Sequence, residues 1–185
     1  MASNPIYELY AQLRDYQPKI WRRFQVANNI TMARLGYILM TLFEMQANHL
    51  FRIEVPFREN LIMALRKRLG DSEYNKLFAD DPFNETEENG IFEIITEDTY
   101  FYRDEDEKVY DITEHKLKHV ITVPDSRLVF FYDFGDNWIV DVTLERIFED
   151  DNLPGRFLPR VLEGEGYGII EDCGGVGGLE KLAKA

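Results

Sequence analysis

The sequence predicts one α+β domain: an antiparallel or mixed sheet, with an N-terminal hairpin and a second hairpin at Asp133–Asp136, packed by two to four helices. Three observations carry this prediction. Apolar and polar residues alternate near the N-terminus and again from about residue 128 to 148, which is typical of half-buried strands. Between these stretches, apolar residues recur at helical spacing. At 185 residues the chain is slightly long for one domain and short for two, and no linker divides it.

The N-terminal hairpin is predicted from two alternating segments. The first runs from Ile6 to Leu13, and the second runs from Ile20 to Val26. The segment Asp15 to Pro18 lies between them and carries the residue types of a turn. Because the two strands are separated by so short a break, we expect them to pair antiparallel.

A helix is predicted behind Thr31, whose side chain can cap it, and it continues to about Met45. A strand from His49 to Val55 follows. A second helix is expected from Asn60 to Leu69, where Gly70 stops it and three cations fall in the last turn.

Residues 71–110 are predicted to be a variable acidic loop region. Acidic clusters, including the run 104–107, are interrupted only by a short strand from Ile91 to Thr96 and by aromatic residues at 100–102. The sequence Asp111-Ile112-Thr113-Glu114 looks like a capping box, which predicts a helix to about Val120.

The second hairpin has the clearest strand pattern. Leu128 to Phe134 alternates, Gly135-Asp136 forms a two-residue type of turn, and Trp138 to Phe148 alternates again. A glycine-rich loop is expected from Gly164 to Gly178, with a helix starting at Leu179.

Charge and composition narrow the classes of function. The net charge is −13, but residues 1–70 carry +5, residues 71–116 carry −12 and residues 117–185 carry −6. Acidic segments repel phosphate, so nucleic acid is a poor partner unless the basic N-terminal third binds it, through Arg22, Arg23, Arg66, Lys67 and Arg68. A single cysteine excludes an internal disulfide, and no apolar run suits a signal peptide or a membrane span. We therefore expect a cytoplasmic protein without a membrane partner.

Two blocks of sequence resemble a known family. They are PKIWRRFQVANNITMARLGYILMTLFEMQANHLFRI (Pro18 to Ile53) and FYDFGDNW (Phe131 to Trp138), the latter followed by LEGEGYGIIEDCGGVGGLEKL (Leu162 to Leu182). Together they resemble the plasmid pRiA ORF-three-like family, whose members are also labelled insertion-sequence passengers with a resolvase-like name. The resemblance implies an α+β fold and an association with mobile elements, with no established activity. The sequence contains no serine-recombinase motif.

The chain departs from the family pattern at positions that could bind metal. Family members usually read HLHxF where this chain has His49-Leu50-Phe51-Arg52, and DFGDxWxH where this chain has Val140 in place of the histidine. A cysteine and prolines often precede the EDCGG block, where this chain has residues 167–170, Tyr-Gly-Ile-Ile. The resemblance therefore predicts no cofactor and no family-type metal, with His49, Asp133 and Asp136 as the remaining weak candidates.

The candidate catalytic residues are four carboxylates, Asp133, Asp136, Glu171 and Asp172. If they converge, they could bind a divalent ion or perform acid–base chemistry. The alternative is structural, with Asp136 in a turn and Asp133 as an ion-pair partner of Arg22 or Arg23. Candidate ligand-binding residues are His49, Trp21, Arg23, Trp138 and Cys173.

Three further motifs favour structural roles. His115 and His119 have the spacing of zinc ligands on a helix, but no glutamate lies between them. Cys173 follows Glu171 and Asp172, whose negative charges raise a thiol pKa, so we expect a structural cysteine. The glycines of residues 164–178 lack the phosphate-loop order and more simply permit turns. Two hypotheses remain, a binding or adaptor protein for an unknown protein or small ligand, and a metal-dependent hydrolase or nucleic-acid-processing enzyme.

Overall fold

The computed structural model describes residues 5–79, 89–96 and 108–184. Within them the strands are β1 (Ile6–Leu13), β2 (Trp21–Ala27), β3 (Phe51–Val55), β4 (Gly90–Glu93), β5 (Val109–Asp111), β6 (Arg127–Tyr132), β7 (Trp138–Phe148) and β8 (Arg160–Glu165). The helices are α1 (Met32–Leu42), α2 (Phe57–Leu69), α3 (Asp71–Leu77), α4 (Leu117–Val120) and α5 (Gly175–Leu182). A 3-10 turn spans Gly155–Phe157.

All eight strands join one sheet, in the order β5-β4-β3-β6-β7-β1-β2-β8. Neighbouring strands are antiparallel except β4 and β5, which are parallel, so the sheet is mixed. Both predicted hairpins are present, β1 with β2 and β6 with β7. The predicted α+β class is therefore confirmed.

One face of the sheet and α1 form the main core. Alternate residues of β1 and β7 point inward, as the period of two predicts, and the inward residues are almost fully buried. Thr31 caps α1 by accepting a hydrogen bond from the backbone N–H of Arg34. Gly36 of α1 allows the helix to lie directly on β3, because a Cβ at this position would meet the ring of Phe51 at 2.3 Å.

Several element boundaries differ from the sequence prediction. α1 ends at Leu42, and β3 begins only at Phe51, so His49 lies in the loop between them rather than on a strand. The predicted helix from Asp111 is wrong. Asp111 accepts hydrogen bonds from the backbone and side chain of Thr113 in a tight turn, and α4 has only four residues. The hydrogen bonds from Thr113 to the side chain of Asp111 take the place of the expected capping box.

The second hairpin turns through five residues, 133–137, rather than through a two-residue turn. Its first and last residues, Asp133 and Asn137, both adopt positive φ, a conformation that Asp and Asn tolerate better than most residues. α5 begins at Gly175, so three of the glycines assigned to a loop lie in a helix instead. Neither β8 nor α3 was predicted, since β8 is exposed and shows no alternation of burial.

The acidic run 104–107, the cluster 80–82 and the aromatic residues 100–102 lie outside the described residues. The short strand predicted from Ile91 to Thr96 is present as β4 and is shorter. In the described part of the chain, none of the helices combines the length and apolar character that crossing a membrane requires.

Candidate functional site

Three connecting segments meet at one end of the sheet. They are residues 43–50 between α1 and β3, residues 133–137 between β6 and β7, and residues 166–174 before α5. The third segment is held against the first by a hydrogen bond from the backbone N–H of Ile169 to the carbonyl of Phe43, at 2.9 Å. Gly168 permits this approach, because a Cβ there would lie 2.5 Å from the same carbonyl oxygen.

Arg22 fixes the same junction from β2. Its guanidinium donates to the carbonyl of Leu42 at the end of α1 and to the carbonyls of Glu165 and Gly166, at 2.8 to 3.1 Å. These bonds join the end of α1 to the start of the third segment. Arg22 therefore holds these two segments together, and it is not the ion-pair partner of Asp133 that the sequence suggested.

His49 lies at the centre of the junction, close to three carboxylates. Its Nε2 is 3.7 Å from Oδ2 of Asp133, 3.8 Å from Oε2 of Glu171 and 3.9 Å from Oδ1 of Asp172. The imidazole packs edge-on against the ring of Tyr132, with 5.7 Å between ring centroids. All three separations are too long for hydrogen bonds. The nitrogen therefore lies near all three carboxylates without a direct hydrogen bond to any of them.

Asp133 reaches this space because it leaves β6 with a φ of 53°. Its backbone N–H donates to the carbonyl of Leu50, at 3.0 Å, which places the loop beside His49. One carboxylate oxygen, Oδ1, accepts from the backbone N–H of Gly135, at 3.0 Å. The other oxygen faces His49, and the side chain is 11% exposed.

Glu171 has a carboxylate that is almost fully buried, with 3% of its side chain exposed. Oε1 accepts two hydrogen bonds of 2.6 Å, one from the hydroxyl of Tyr132 and one from the backbone N–H of Gln46. The Tyr132 hydroxyl in turn accepts from the backbone N–H of Asn48, at 3.2 Å. Burial, and then the bond to Glu171, raise the pKa of Tyr132 to about 12. Tyr132 therefore stays a neutral donor and fixes the Glu171 carboxylate.

Asp172 is the solvent-facing member of the group. Its side chain is 83% exposed and its φ is 56°. His49, Asp133 and Asp172 each offer one ligand atom, and these atoms lie within 4.8 Å of one another. Among the described residues, no other group of three or more histidine, cysteine or acidic side chains comes this close.

Asp136 does not join this group and instead holds the third segment in place. Its Oδ2 accepts from the backbone N–H of Gly174, at 3.2 Å. Gly175 follows with a φ of 66°, and a Cβ there would lie 2.3 Å from the carbonyl oxygen of Asp136. Only glycine allows this approach without displacing one of the two loops.

Cys173 lies beside the group without taking part in it. Its Sγ is 3.6 Å from the carbonyl oxygen of Gly175, to which it donates. Burial raises the pKa of the thiol, and the charge of Asp136 raises it further. The sequence also predicted a raised thiol pKa. The neighbouring charge that raises it belongs to Asp136, however, and not to Glu171 or Asp172.

The structure does not bring the two tryptophans together. Trp138 is fully buried in the core, whereas the strand register places Trp21 on the opposite face of the sheet. There Trp21 stacks on Tyr10, with centroids 5.4 Å apart, and Arg23 pairs with Glu145 and Glu163. Arg23 is therefore an ion-pair partner within the chain.

The other candidate sets are also dispersed. Nδ1 of His115 lies 2.9 Å from the carbonyl oxygen of Asp111, before α4 begins, so His115 and His119 are not on one helical face. Arg66 pairs with Asp71 and Lys67 with Asp125. These ion pairs neutralise part of the basic third. Phe51 and Val140, which stand where the resemblance predicted histidines, are both buried in the core.

Comparisons with known proteins agree with the predicted resemblance. A family model described as Plasmid pRiA4b ORF-3-like protein matches residues 5–185. No curated protein matches the chain. The crystal structure of MM3350, a protein of unknown function from Methanosarcina mazei Go1, is similar with a TM-score of 0.71. Its identity is 22%, over 98% of this chain and 81% of that chain, so the similarity establishes the fold alone.

Proposed function

The chain belongs to the plasmid pRiA4b ORF-3-like family, whose function is unknown, and from the geometry of its own residues we propose that it is a divalent-metal-binding protein. The ion would be held by Nε2 of His49 and by one oxygen each of Asp133 and Asp172. The observation that carries the proposal is the arrangement of carboxylate oxygens around one imidazole nitrogen, at 3.7 to 3.9 Å.

These separations suit ligands of a common ion better than they suit direct pairs. Two atoms bound to one ion at about 2.0–2.2 Å lie roughly 3.3–3.6 Å apart in tetrahedral coordination. The distances from Nε2 of His49 to the two aspartate oxygens exceed this range by a few tenths of an ångström, and all three ligand atoms lie within 4.8 Å of one another. Side-chain rotation would bring them closer around an ion. Two aspartates and a divalent ion also balance in charge, which offsets the cost of the largely buried carboxylate of Asp133.

The donor types favour a transition metal. One imidazole nitrogen together with carboxylate oxygens suits zinc, manganese, iron or cobalt, whereas magnesium and calcium prefer oxygen alone. This set departs from the expectation that the chain would bind no metal, which rested on the loss of the family's other histidines. Asp172 comes from the glycine-rich segment and replaces Asp136, one of the weak candidates, as the third ligand.

The experiment is a metal titration with matched variants. Protein purified without chelator is dialysed and titrated calorimetrically with zinc, manganese and magnesium. We expect one zinc or manganese ion per chain, and a loss of affinity of about 10-fold or more in His49→Gln, Asp133→Asn and Asp172→Asn. Asparagine tolerates the positive φ at both aspartate positions, so these variants should keep the fold.

His119→Gln and Asp141→Asn are the controls, because His119 is exposed on α4 and Asp141 pairs with Arg14 on another part of the sheet. Both should bind metal as the wild type does. A wild-type protein that binds no ion, or ligand variants that bind like the controls, would refute the proposal.

Metal-dependent hydrolysis is a second candidate, and Glu171 is the reason. Its Oε2 lies 3.8 Å from Nε2 of His49, yet it is not part of the three-ligand group. Catalytic zinc sites keep a water beside three protein ligands, and a fixed carboxylate next to it can accept its proton. A metal-dependent cleavage of 4-nitrophenyl acetate that is lost in Glu171→Gln, measured at a zinc concentration that saturates both proteins, would support this function. Equal rates of cleavage in the wild type and in Glu171→Gln would exclude this function.

A further inference from the structure

A small cavity shares His49 with the proposed ion site. It has a volume of about 230 Å³, and its walls are mostly apolar, with Tyr37, Met40, Leu50, Phe51, Ile94 and Phe134 contributing. Two of these lining residues directly follow a proposed ligand in the sequence. Leu50 follows His49, and Phe134 follows Asp133. The cavity and the ion site are therefore parts of one junction.

The apolar walls are unusually exposed for side chains of their size. Leu50 is 70% exposed and Phe134 is 50% exposed, and Tyr37 and Ile94 are also open to solvent. Large apolar side chains that gather beside a polar group, instead of being scattered singly, mark a binding surface. Arg52 lies over the ring of Phe134, with 5.4 Å from its guanidinium carbon to the ring centroid, and supports that wall.

We propose that this junction binds a small molecule in two parts. An oxygen-donor head would coordinate the ion, and an aromatic ring or a branched alkyl group would enter the cavity. This inference rests on the proposed function and names the class of ligand that the ion site takes. The volume fits, since an apolar cavity of about 150 Å³ is enough to hold benzene.

The charges at the junction make the binding conditional on metal. Without an ion, the three carboxylates beside His49 repel an anionic oxygen donor, and Glu93 in the cavity wall adds to this repulsion. A divalent ion would balance two of these three carboxylate charges, and the 83% exposed side chain of Asp172 leaves the site open to solvent, from which an oxygen donor could reach the ion. The ligand should therefore bind only to the metal-loaded protein.

The test compares two hydroxamates that share a metal-binding head. Benzohydroxamate carries a ring, whereas acetohydroxamate carries a methyl group. On the zinc-loaded wild type, we expect benzohydroxamate to bind at least about 10-fold more tightly, a difference of ~1.4 kcal/mol. Leu50→Ser and Phe134→Ser should each reduce this preference, while their affinities for zinc and for acetohydroxamate stay unchanged. Leu77→Ser, an exposed leucine on α3, should keep the full preference.

The possible failures are distinguishable. A chain that binds no zinc overturns both the proposed function and this inference. If the protein binds zinc but binds both hydroxamates equally, only the proposed role of the cavity is overturned. The same holds if the preference for benzohydroxamate survives in both Leu50→Ser and Phe134→Ser. Equal binding of benzohydroxamate to metal-free and zinc-loaded protein contradicts the two-part arrangement.

Discussion

The hydroxyl of Tyr132 donates a 2.6 Å hydrogen bond to Oε1 of Glu171, and this bond joins the end of β6 to the segment that carries Asp172. Tyr132 has no exposed surface and the Glu171 side chain has almost none. Since Oε1 is also bound by the backbone of Gln46, the carboxylate can present only Oε2 to His49. The position of the buried acid is therefore set by a residue that is not itself a proposed ligand, but that precedes Asp133 in the chain and packs against the imidazole of His49.

Removal of this hydroxyl should weaken metal binding without removing a ligand. In Tyr132→Phe, Glu171 keeps only the bond from Gln46 and can rotate. We expect zinc affinity to fall by about 10-fold, as is typical when an outer partner of a site is lost. Stability should also fall by about 1–3 kcal/mol, because a buried acceptor loses a donor.

Tyr7→Phe is the control, since the Tyr7 hydroxyl is buried and donates to the carbonyl of Ile121, at 3.0 Å, away from the site. It should lose stability and keep zinc affinity. Urea unfolding and zinc titration of both variants check this, and equal zinc affinities in the two variants would show that Tyr132 does not position the site.

The alkaline stability of the protein should depend on Tyr132. Its pKa is raised from about 10 in the unfolded chain to about 12 in the folded protein, so folding favours the neutral phenol. The resulting stability is complete below pH 10 and is lost as the pH rises from 10 to 12. Compared with Tyr132→Phe, the wild type should lose up to about 1.4 kcal/mol per pH unit in that window. Urea midpoints at pH 8, 10, 11 and 12 measure this difference, and a difference that stays constant would contradict the assignment.

Cys173 should react slowly in the native protein. Burial raises its pKa, and the charge of Asp136 adds to this effect, so at a given pH the native thiol has less thiolate than the thiol of the unfolded chain. Reaction with a disulfide reagent should be at least about 10-fold slower than in urea, and Asp136→Asn should accelerate the native reaction. A native thiol that reacts as fast as the unfolded one would show that Cys173 is reactive.

Two glycines of α5 provide a test of how the third segment is held. In Gly175→Ala, the new Cβ would lie 2.3 Å from the carbonyl oxygen of Asp136 at a φ of 66°, so stability should fall by about 2 kcal/mol and zinc affinity should fall with it. In Gly177→Ala, nothing lies within 4 Å of the new Cβ, and the helix should gain up to about 1 kcal/mol. Thermal unfolding and zinc titration of both variants compare them. Equal effects would mean that Asp136 and Gly175 are not in close contact.

The sheet and α1 could be predicted because their residues follow simple periods. β1, β6 and β7 alternate in burial as they do in hydrophobicity, and Thr31 caps the helix as its residue type suggests. Exposed β8 has no such pattern, because neither of its faces is buried and its position depends on pairing with β2. The helix expected from Asp111 failed because a local side-chain bond competed with the helical backbone.

The site was predictable in part. His49, Asp133, Glu171 and Asp172 were all named from the sequence, since the acidic residues flank turns in the two blocks of the family resemblance. Tyr132 could not be identified, because its alternation marks it as a core residue and nothing in the sequence places its hydroxyl near Glu171. The conformation of Asp133, with its positive φ, is also a product of the five-residue turn, which the sequence predicted to be shorter.

The proposed ion should lie between His49, Asp133 and Asp172. Crystals grown with zinc, measured just above and just below the zinc absorption edge, test it directly. We expect one anomalous peak per chain, about 2.0–2.2 Å from Nε2 of His49 and from an oxygen of each aspartate. An anomalous peak at other residues would contradict this expectation. Zinc-soaked crystals that show no peak, and in which His49 and the carboxylates keep their separations, would also contradict it.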